Sequence, residues 1–356
     1  MHKKQALDPI APGQEYQPPD QERTSAGDDV DMGMMERLCG GDLVVLDGAT
    51  GTELEVRDSP QSSDASWAEC SVTNPDIVRS VHEDYVRSGA DVITTNTYST
   101  GPHVLRQIGR EDAIAPWNRA SVAIARDAIS SAAGGREVLV AGSVSAFGNG
   151  AMRYPSMDGK FAWGEDNPDL LGANFHEQIA ILVEAGVDLV LLEFLGATAD
   201  DIEIGIGMAL AFDLPVVASL SAAVNGEGRA VLTNVTPQSD VGRSGTTVAT
   251  AVRRIASSGV AAICAMHSEI DEIETILPAI RSEWSGPMGA YPNRTGFWNG
   301  LRWIFTEDVT PEDYASKAHR WVELGASIIG GCCGTTPAMI AATSARLRRE
   351  NMSPSN

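Results

Sequence analysis

The sequence predicts an α/β chain folded as a (β/α)8 TIM barrel, and three observations carry that reading. Eight short apolar runs with strand character alternate with longer, alanine-rich stretches of helical pattern. The runs are apolar on both faces, as expected of parallel strands covered by helices. Eight such units over roughly 310 residues match the size of a closed barrel.

The elements follow in order. The first strand is "LVVLDGATG" from Leu43, and the second is "ADVITTNTY" from Ala90. Between them lies "NPDIVRSVHEDYVRSG", where Asn74 is a natural cap, Pro75 suits the first helical turn and Gly89 ends the helix. The third strand is "VLVAGSVSA" from Val138; "NPDLLGANFHEQIAILVEAG" repeats the helix grammar and leads into the fourth, "VDLVLLEFL" from Val187. The fifth to seventh are "PVVASLSA" from Pro215, "VAAICAMHS" from Val260 and "PMGAYPN" from Pro287. The helix "TPEDYASKAHRWVELG" precedes the eighth, "ASIIGGCCG" from Ala326. An open doubly wound sheet is the rival, but "DGATGTEL" lacks the third glycine of a G-x-G-x-x-G turn and no acidic residue closes the second strand as that fold requires.

Composition bounds the function. The chain has 356 residues, 43% of them hydrophobic, enough for one large core. Its first thirty residues hold four prolines, two glycines and no periodic apolar pattern. Residues 1–34 are therefore expected to be disordered, 35–350 to form a single barrel and 351–356 to be a tail. The net charge of -22 disfavours nucleic acid and acidic membrane surfaces, so the expected partners are small molecules. The apolar helix faces of a barrel leave a homo-oligomer open. No apolar stretch of signal-peptide or membrane-spanning type occurs, and a cytoplasmic protein is expected. Five cysteines, two of them adjacent, suit reduced thiols better than a disulfide framework.

A barrel places its active groups at the C-terminal ends of the strands. The residues expected there are Asp47, Thr95 to Tyr98, Ser143, Ser145, Glu193, Cys264, Tyr291 to Asn293, and the pair Cys332 and Cys333. Three thiolates meeting at one rim make a zinc site with a free position, whereas closed structural sites use four protein ligands. The plainer alternative is that Cys264 is a buried core thiol and the pair a turn of small residues. His267 reads as a solvated or backbone-bonded loop histidine and stands outside the ligand set. Cys39 and Cys70 have no partner at ligand spacing.

Taken together, "LDGATGTELE", "TNTYST", "GVDLVLLEF", the cysteine of "AAICAMHS", "YPN" and above all "GGCCGTTP" resemble the homocysteine S-methyltransferases from about Leu43 to about Arg349. The resemblance implies an eight-stranded barrel with Zn2+ held by Cys264, Cys332 and Cys333. It implies that Asp47, Glu193 and Thr95 hold the amino-acid end of homocysteine, with the backbone of Gly48 and Ala49 near its carboxylate. The implied reaction is zinc-dependent methyl transfer to homocysteine, giving methionine. Three departures bear on the methyl donor: Ile263 stands where asparagine is common, "SVSAFGN" replaces a Gly-Pro-aromatic-Gly turn, and Ser99 replaces an aromatic residue of the betaine enzymes. The first two are expected to lie where the mouth is shaped. The third disfavours betaine, so a small sulfonium such as S-methylmethionine is the expected donor. Tyr98, Phe147 and Trp298, with Trp303, are candidates for an aromatic wall around such a cation.

Three other readings stay open. One is a lapsed homologue that binds only zinc or an amino acid, and another takes the methyl group from a separate corrinoid protein. The third, a cysteine-nucleophile hydrolase, is disfavoured because the sequence places no histidine as a base beside the rim cysteines.

Overall fold

The computed structural model describes residues 33–59, 67–146, 168–194, 196–235, 241–298 and 303–351. Twelve strands are found among them: β1 Val44–Val45, β2 Val92–Thr94, β3 Leu139–Ser145, β4 Leu189–Phe194, β5 Val216–Val224, β6 Ala230–Val235, β7 Val241–Thr247, β8 Ala262–Glu269, β9 Met288–Asn293, β10 Gly296–Trp298, β11 Trp303–Phe305 and β12 Ile328–Ile329.

Eight of these correspond to the eight expected runs. They pair in parallel in the order β1-β12-β9-β8-β5-β4-β3-β2. The ring closes between its two ends through the bridge Leu46↔Val92, with Asp91 N–H donating to Val45 O at 2.7 Å and Asp47 N–H to Val92 O at 3.1 Å. Asp91 reinforces this seam, since its carboxylate accepts from Val45 N at 3.0 Å and from Arg348 at 2.7 Å.

Alternation along the strands sorts the core into two layers. Leu46, Val92, Leu139, Ala141, Leu189, Leu191, Val217, Cys264, Met266 and Ile328 fill the barrel interior. Their neighbours Val45, Ile93, Val140, Val190, Leu192, Ala218, Ile263, Ala265 and Ile329 face the helices. Each large aliphatic side chain buried this way contributes about 1.5–3 kcal/mol. Helix Met34–Gly40 adds Met34 and Leu38 to the interior layer where β1 begins. It overlaps the expected disordered segment at Met34; residues 1–32 lie outside the described residues.

The helix grammar holds with one change. In Pro311–Glu323 the Thr310 hydroxyl accepts from Asp313 N at 3.1 Å, and Pro311 occupies the first turn. Asn74 stands at the start of helix Pro75–Arg87, yet its side chain caps no helical N–H; its carbonyl oxygen accepts from Ile77 and Val78 instead.

Two features go beyond eight strands. β5 runs on into an antiparallel β5–β6–β7 extension through a turn at Asn225–Arg229. Asn225 Oδ1 accepts from Glu227 N and Arg229 N, each at 3.0 Å, and Gly228 supplies the left-handed φ of +76°. After β9, β10 and β11 form a short antiparallel hairpin. Among the described residues no helix is long and apolar enough to cross a membrane.

Candidate active site

The Gly330–Gly334 turn after β12 is held from several sides. Gly331 N–H donates to Asp47 O at 3.0 Å, and Cys332 N–H to Pro292 O at 2.8 Å. Cys333 N–H reaches the Asn293 side chain at 3.0 Å, and the buried Tyr314 hydroxyl donates to Gly330 O at 2.6 Å. Gly334 has φ +80°, and a Cβ there would meet the Phe305 ring at 2.3 Å, so the turn can close only on glycine. Two consecutive thiols are thereby fixed at the mouth, their sulfurs 4.0 Å apart.

The third donor beside them is His267, whose Nδ1 lies 3.6 Å from Cys332 Sγ and 3.8 Å from Cys333 Sγ. These three donor atoms all lie within 4.8 Å of one another, a set of borderline-soft ligands suited to a metal such as zinc. Cys264 is not in this group. It is fully buried in the barrel interior, next to Gly289 and Ser219, and burial pushes its thiol up to about 12. The Cys332 thiol is raised well above its ordinary value by its bond to Cys333 and by burial, with His267 opposing. The absence of a histidine beside the rim cysteines, which counted against a cysteine nucleophile, does not hold in the structure.

The two expected carboxylates converge on the same mouth. Asp47 accepts from Thr94 N and Thr94 Oγ1, each at 2.8 Å. Ser143 Oγ donates to Glu193, and Tyr291 lies beside it. Burial pushes both acids up to about 7; the Thr94 bonds oppose this at Asp47, as do the Ser143 bond and the nearby His267 at Glu193. Each is charged only at a cost, because no lysine or arginine acts on either one. A ligand ammonium would supply the missing positive charge.

The remaining expected residues have these places. Thr95 Oγ1 is engaged with Thr97 Oγ1 at 2.7 Å and with Ser143 N at 3.1 Å, so it orders the residue that holds Glu193. Gly48 and Ala49 occupy the turn after β1, where Ala49 N–H already donates to Thr335 O at 3.2 Å. Tyr98 packs against a satellite cluster that includes Ala68, Val104, Leu105 and Trp117. Phe147 lies outside the described residues, and of Trp298 only its backbone place in β10 is described. Trp303 is the aromatic ring found at the donor cluster, edge-on to His267 at 5.6 Å and stacked on Phe305 at 6.3 Å. Ile263 does not shape the mouth; strand alternation turns it outward, fully buried against the helices.

Residues 44–347 match the family model described as homocysteine S-methyltransferase. The chain belongs to the homocysteine S-methyltransferase family. It is 28% identical to Homocysteine S-methyltransferase 3 of Arabidopsis thaliana, over 85% of this chain and 89% of that protein. It is also 28% identical to the Selenocysteine methyltransferase of Astragalus bisulcatus, over 83% of this chain and 90% of that one. The homocysteine methyltransferase MmuM from Escherichia coli, in a metallated crystal form, superposes with a TM-score of 0.66 at 26% identity, over 86% of this chain and 96% of that one. The barrel mouth of this chain joins a soft donor cluster to two buried carboxylates.

Proposed function

We propose that this family member transfers a methyl group from a small sulfonium donor, of the S-methylmethionine type, to the sulfur of homocysteine, giving methionine. The observation that carries this reading is the juxtaposition at one mouth of two thiols on a rigid turn with two buried acids on which no lysine or arginine acts. The acids fit the ammonium of an amino acid, and the thiols fit a metal that binds its sulfur.

Asp47 and Glu193 take the homocysteine ammonium, directly or through water, and Thr94, Thr95 and Ser143 hold those carboxylates in place. Cys332 and Cys333 would hold zinc together with a third donor from β8, the expected Cys264 or the neighbouring His267. Zinc, when bound, supplies the charge that keeps the substrate thiol deprotonated at neutral pH, where a free thiol with a pKa near 8.5 is mostly protonated. The substrate thiol loses its proton to solvent on binding. Its sulfur then attacks the donor methyl carbon as the carbon–sulfur bond of the sulfonium breaks, and a neutral thioether leaves. Alignment by the mouth contributes several kcal/mol to such a displacement. Trp303 offers the sulfonium an aromatic face.

The test is methionine formation from homocysteine by the zinc-loaded protein, expected with S-methylmethionine and much slower with glycine betaine. A faster rate with betaine would overturn the donor assignment. No turnover with either donor would replace this reading with the lapsed homologue or the corrinoid-dependent enzyme, and adding a methylated corrinoid protein separates those two. A selenol acceptor in place of homocysteine is tested in the same assay with selenocysteine.

A further inference from the structure

β2 ends at Thr94, paired with Ala141 of β3, while β3 runs on to Ser145. Ser143 is therefore left without a strand on its β2 side, where its buried N–H and C=O still need partners. Two side chains take the place of the missing strand. Thr95 Oγ1 accepts from Ser143 N at 3.1 Å, and Thr97 Oγ1 donates to Ser143 O at 2.7 Å. The two hydroxyls lie 2.7 Å apart. Each hydroxyl has a single proton. That of Thr97 is used by Ser143 O, so the proton between the hydroxyls belongs to Thr95, and the three bonds close a ring on one residue of β3. Ser143 leaves this ring through its side chain, whose hydroxyl donates to Glu193.

The ring is anchored from outside the barrel. Gln178, buried on helix Pro168–Ala185, donates from Nε2 to Thr97 O at 2.9 Å. Asn118, buried on helix Ile114–Ala132, donates to Thr100 O at 3.1 Å, and Thr100 N–H closes the turn onto Thr97 O at 3.2 Å. These amides stand in a layer otherwise filled by side chains such as Val122, Leu171, Phe175 and Ile179, where a polar group is costly unless it is paired. Their partners are the turn that carries Thr97. The polar network thus runs from two outer helices through the barrel wall to one carboxylate of the mouth.

We infer that Thr97, held from behind by Gln178, is a positioning residue for the homocysteine ammonium: through Thr95 and Ser143 it fixes the Glu193 carboxylate that meets the ligand. This rests on the reading of Glu193 given above. Removing the Thr97 hydroxyl leaves Ser143 O without its donor and Thr95 without its acceptor, so Ser143 can shift and its hydroxyl can leave Glu193. No residue of the ring belongs to the donor cluster of Cys332, Cys333 and His267, so the loss should be felt at the amino-acid end of the substrate and not at its sulfur.

Calorimetric titration of the zinc-loaded protein with two thiols tests this: homocysteine, and γ-mercaptobutyrate, which is the same molecule without its amino group. In Thr97→Val homocysteine should bind about 10-fold more weakly, while γ-mercaptobutyrate stays within about twofold of its wild-type affinity. Thr97→Ser keeps the hydroxyl and should bring homocysteine back to within about threefold of wild type. Equal losses for the two thiols in Thr97→Val would make Thr97 a packing residue and overturn the inference, as would unchanged homocysteine binding. Should that variant fail to fold, Gln178→Met carries the test: a loss of about threefold confined to homocysteine supports the inference, and an equal loss or none overturns it. Glu193→Gln separates the two levels. If it weakens homocysteine selectively and Thr97→Val does not, the inference alone fails; if it binds both thiols as the wild type does, the ammonium reading itself fails.

Discussion

Thr94 donates both its backbone N–H and its hydroxyl to the Asp47 carboxylate, each at 2.8 Å. Thr94 ends β2 and Asp47 follows β1, so the pair spans the seam at which the barrel closes. Thr94→Val removes one of these bonds and keeps the shape, so homocysteine should bind about fivefold more weakly, the equivalent of about 1 kcal/mol. Zinc content should not change. Calorimetric titration checks this, and unaltered affinity would mean that Asp47 does not meet the substrate.

The buried acids make stability depend on pH in a definite sense. Asp47 and Glu193 stand at about 7 in the folded protein, while unfolded carboxyls titrate near 3.9 and 4.3. Between those values the folded state holds protons that the unfolded chain has released, so this contribution falls as pH rises from about 4 through about 7. An Asp47→Asn, Glu193→Gln double variant lacks the effect. Its Tm relative to wild type should therefore climb between pH 5 and pH 8; a constant difference would show that the acids are not held protonated.

The same ionisation governs binding with the opposite sign. An incoming ammonium needs the carboxylates charged, so the Kd for homocysteine should rise as pH falls below about 7. Glu193→Gln should bind homocysteine poorly at every pH while retaining zinc. Loss of zinc together with homocysteine binding would place Glu193 in the metal site instead.

Gly334 combines a left-handed backbone with direct contact to Phe305. Gly334→Ala should cost about 1–3 kcal/mol in stability and loosen the metal, because the turn carries both cysteines. Gly228→Ala is the control, with φ +76° but nothing within 4 Å of its Cβ position, in the turn between β5 and β6. It should lower the Tm and leave zinc affinity unchanged.

Trp303 lies edge-on to His267 and flat against Phe305. Trp303→Ala should raise KM for a sulfonium donor by about 3- to 30-fold, in keeping with an aromatic–cation contact of about 0.5–2 kcal/mol. Trp303→Phe should restore most of it. An equal change in homocysteine affinity would point to a packing role.

The barrel is legible in the sequence because apolar runs such as "ADVITTNTY" and "VDLVLLEFL" recur eight times, and a polar residue near the C-terminal end of each of these two puts Thr95 and Glu193 at the mouth. Cys332 and Cys333 are legible for the same reason. His267 is not, because counting residues along a strand assumes unbroken pairing, and the one-residue bulge of β8 between Met266 and Glu269 leaves no mark in composition. Ile263 is expected at the mouth only from the resemblance, and regular alternation turns it to the helices. Thr94 and Ser143 are equally hard to foresee as supports, since their partners Asp47 and Glu193 stand 47 and 50 residues away. The β10–β11 hairpin, which carries Trp303, has only three residues in each strand, too few to show a period.

The seating of Cys264 against the bare backbone of Gly289 also sets how this chain meets an electrophile. Cys39 is exposed and will alkylate in the native protein. Cys332 and Cys333, half-buried at the mouth, are shielded when a metal or substrate occupies them. Cys264 and Cys70 are buried and become reachable only when the barrel opens. Their labelling rate is therefore a clock for unfolding that runs inside the same molecule as the active-site thiols, and the two can be read in one mass spectrum.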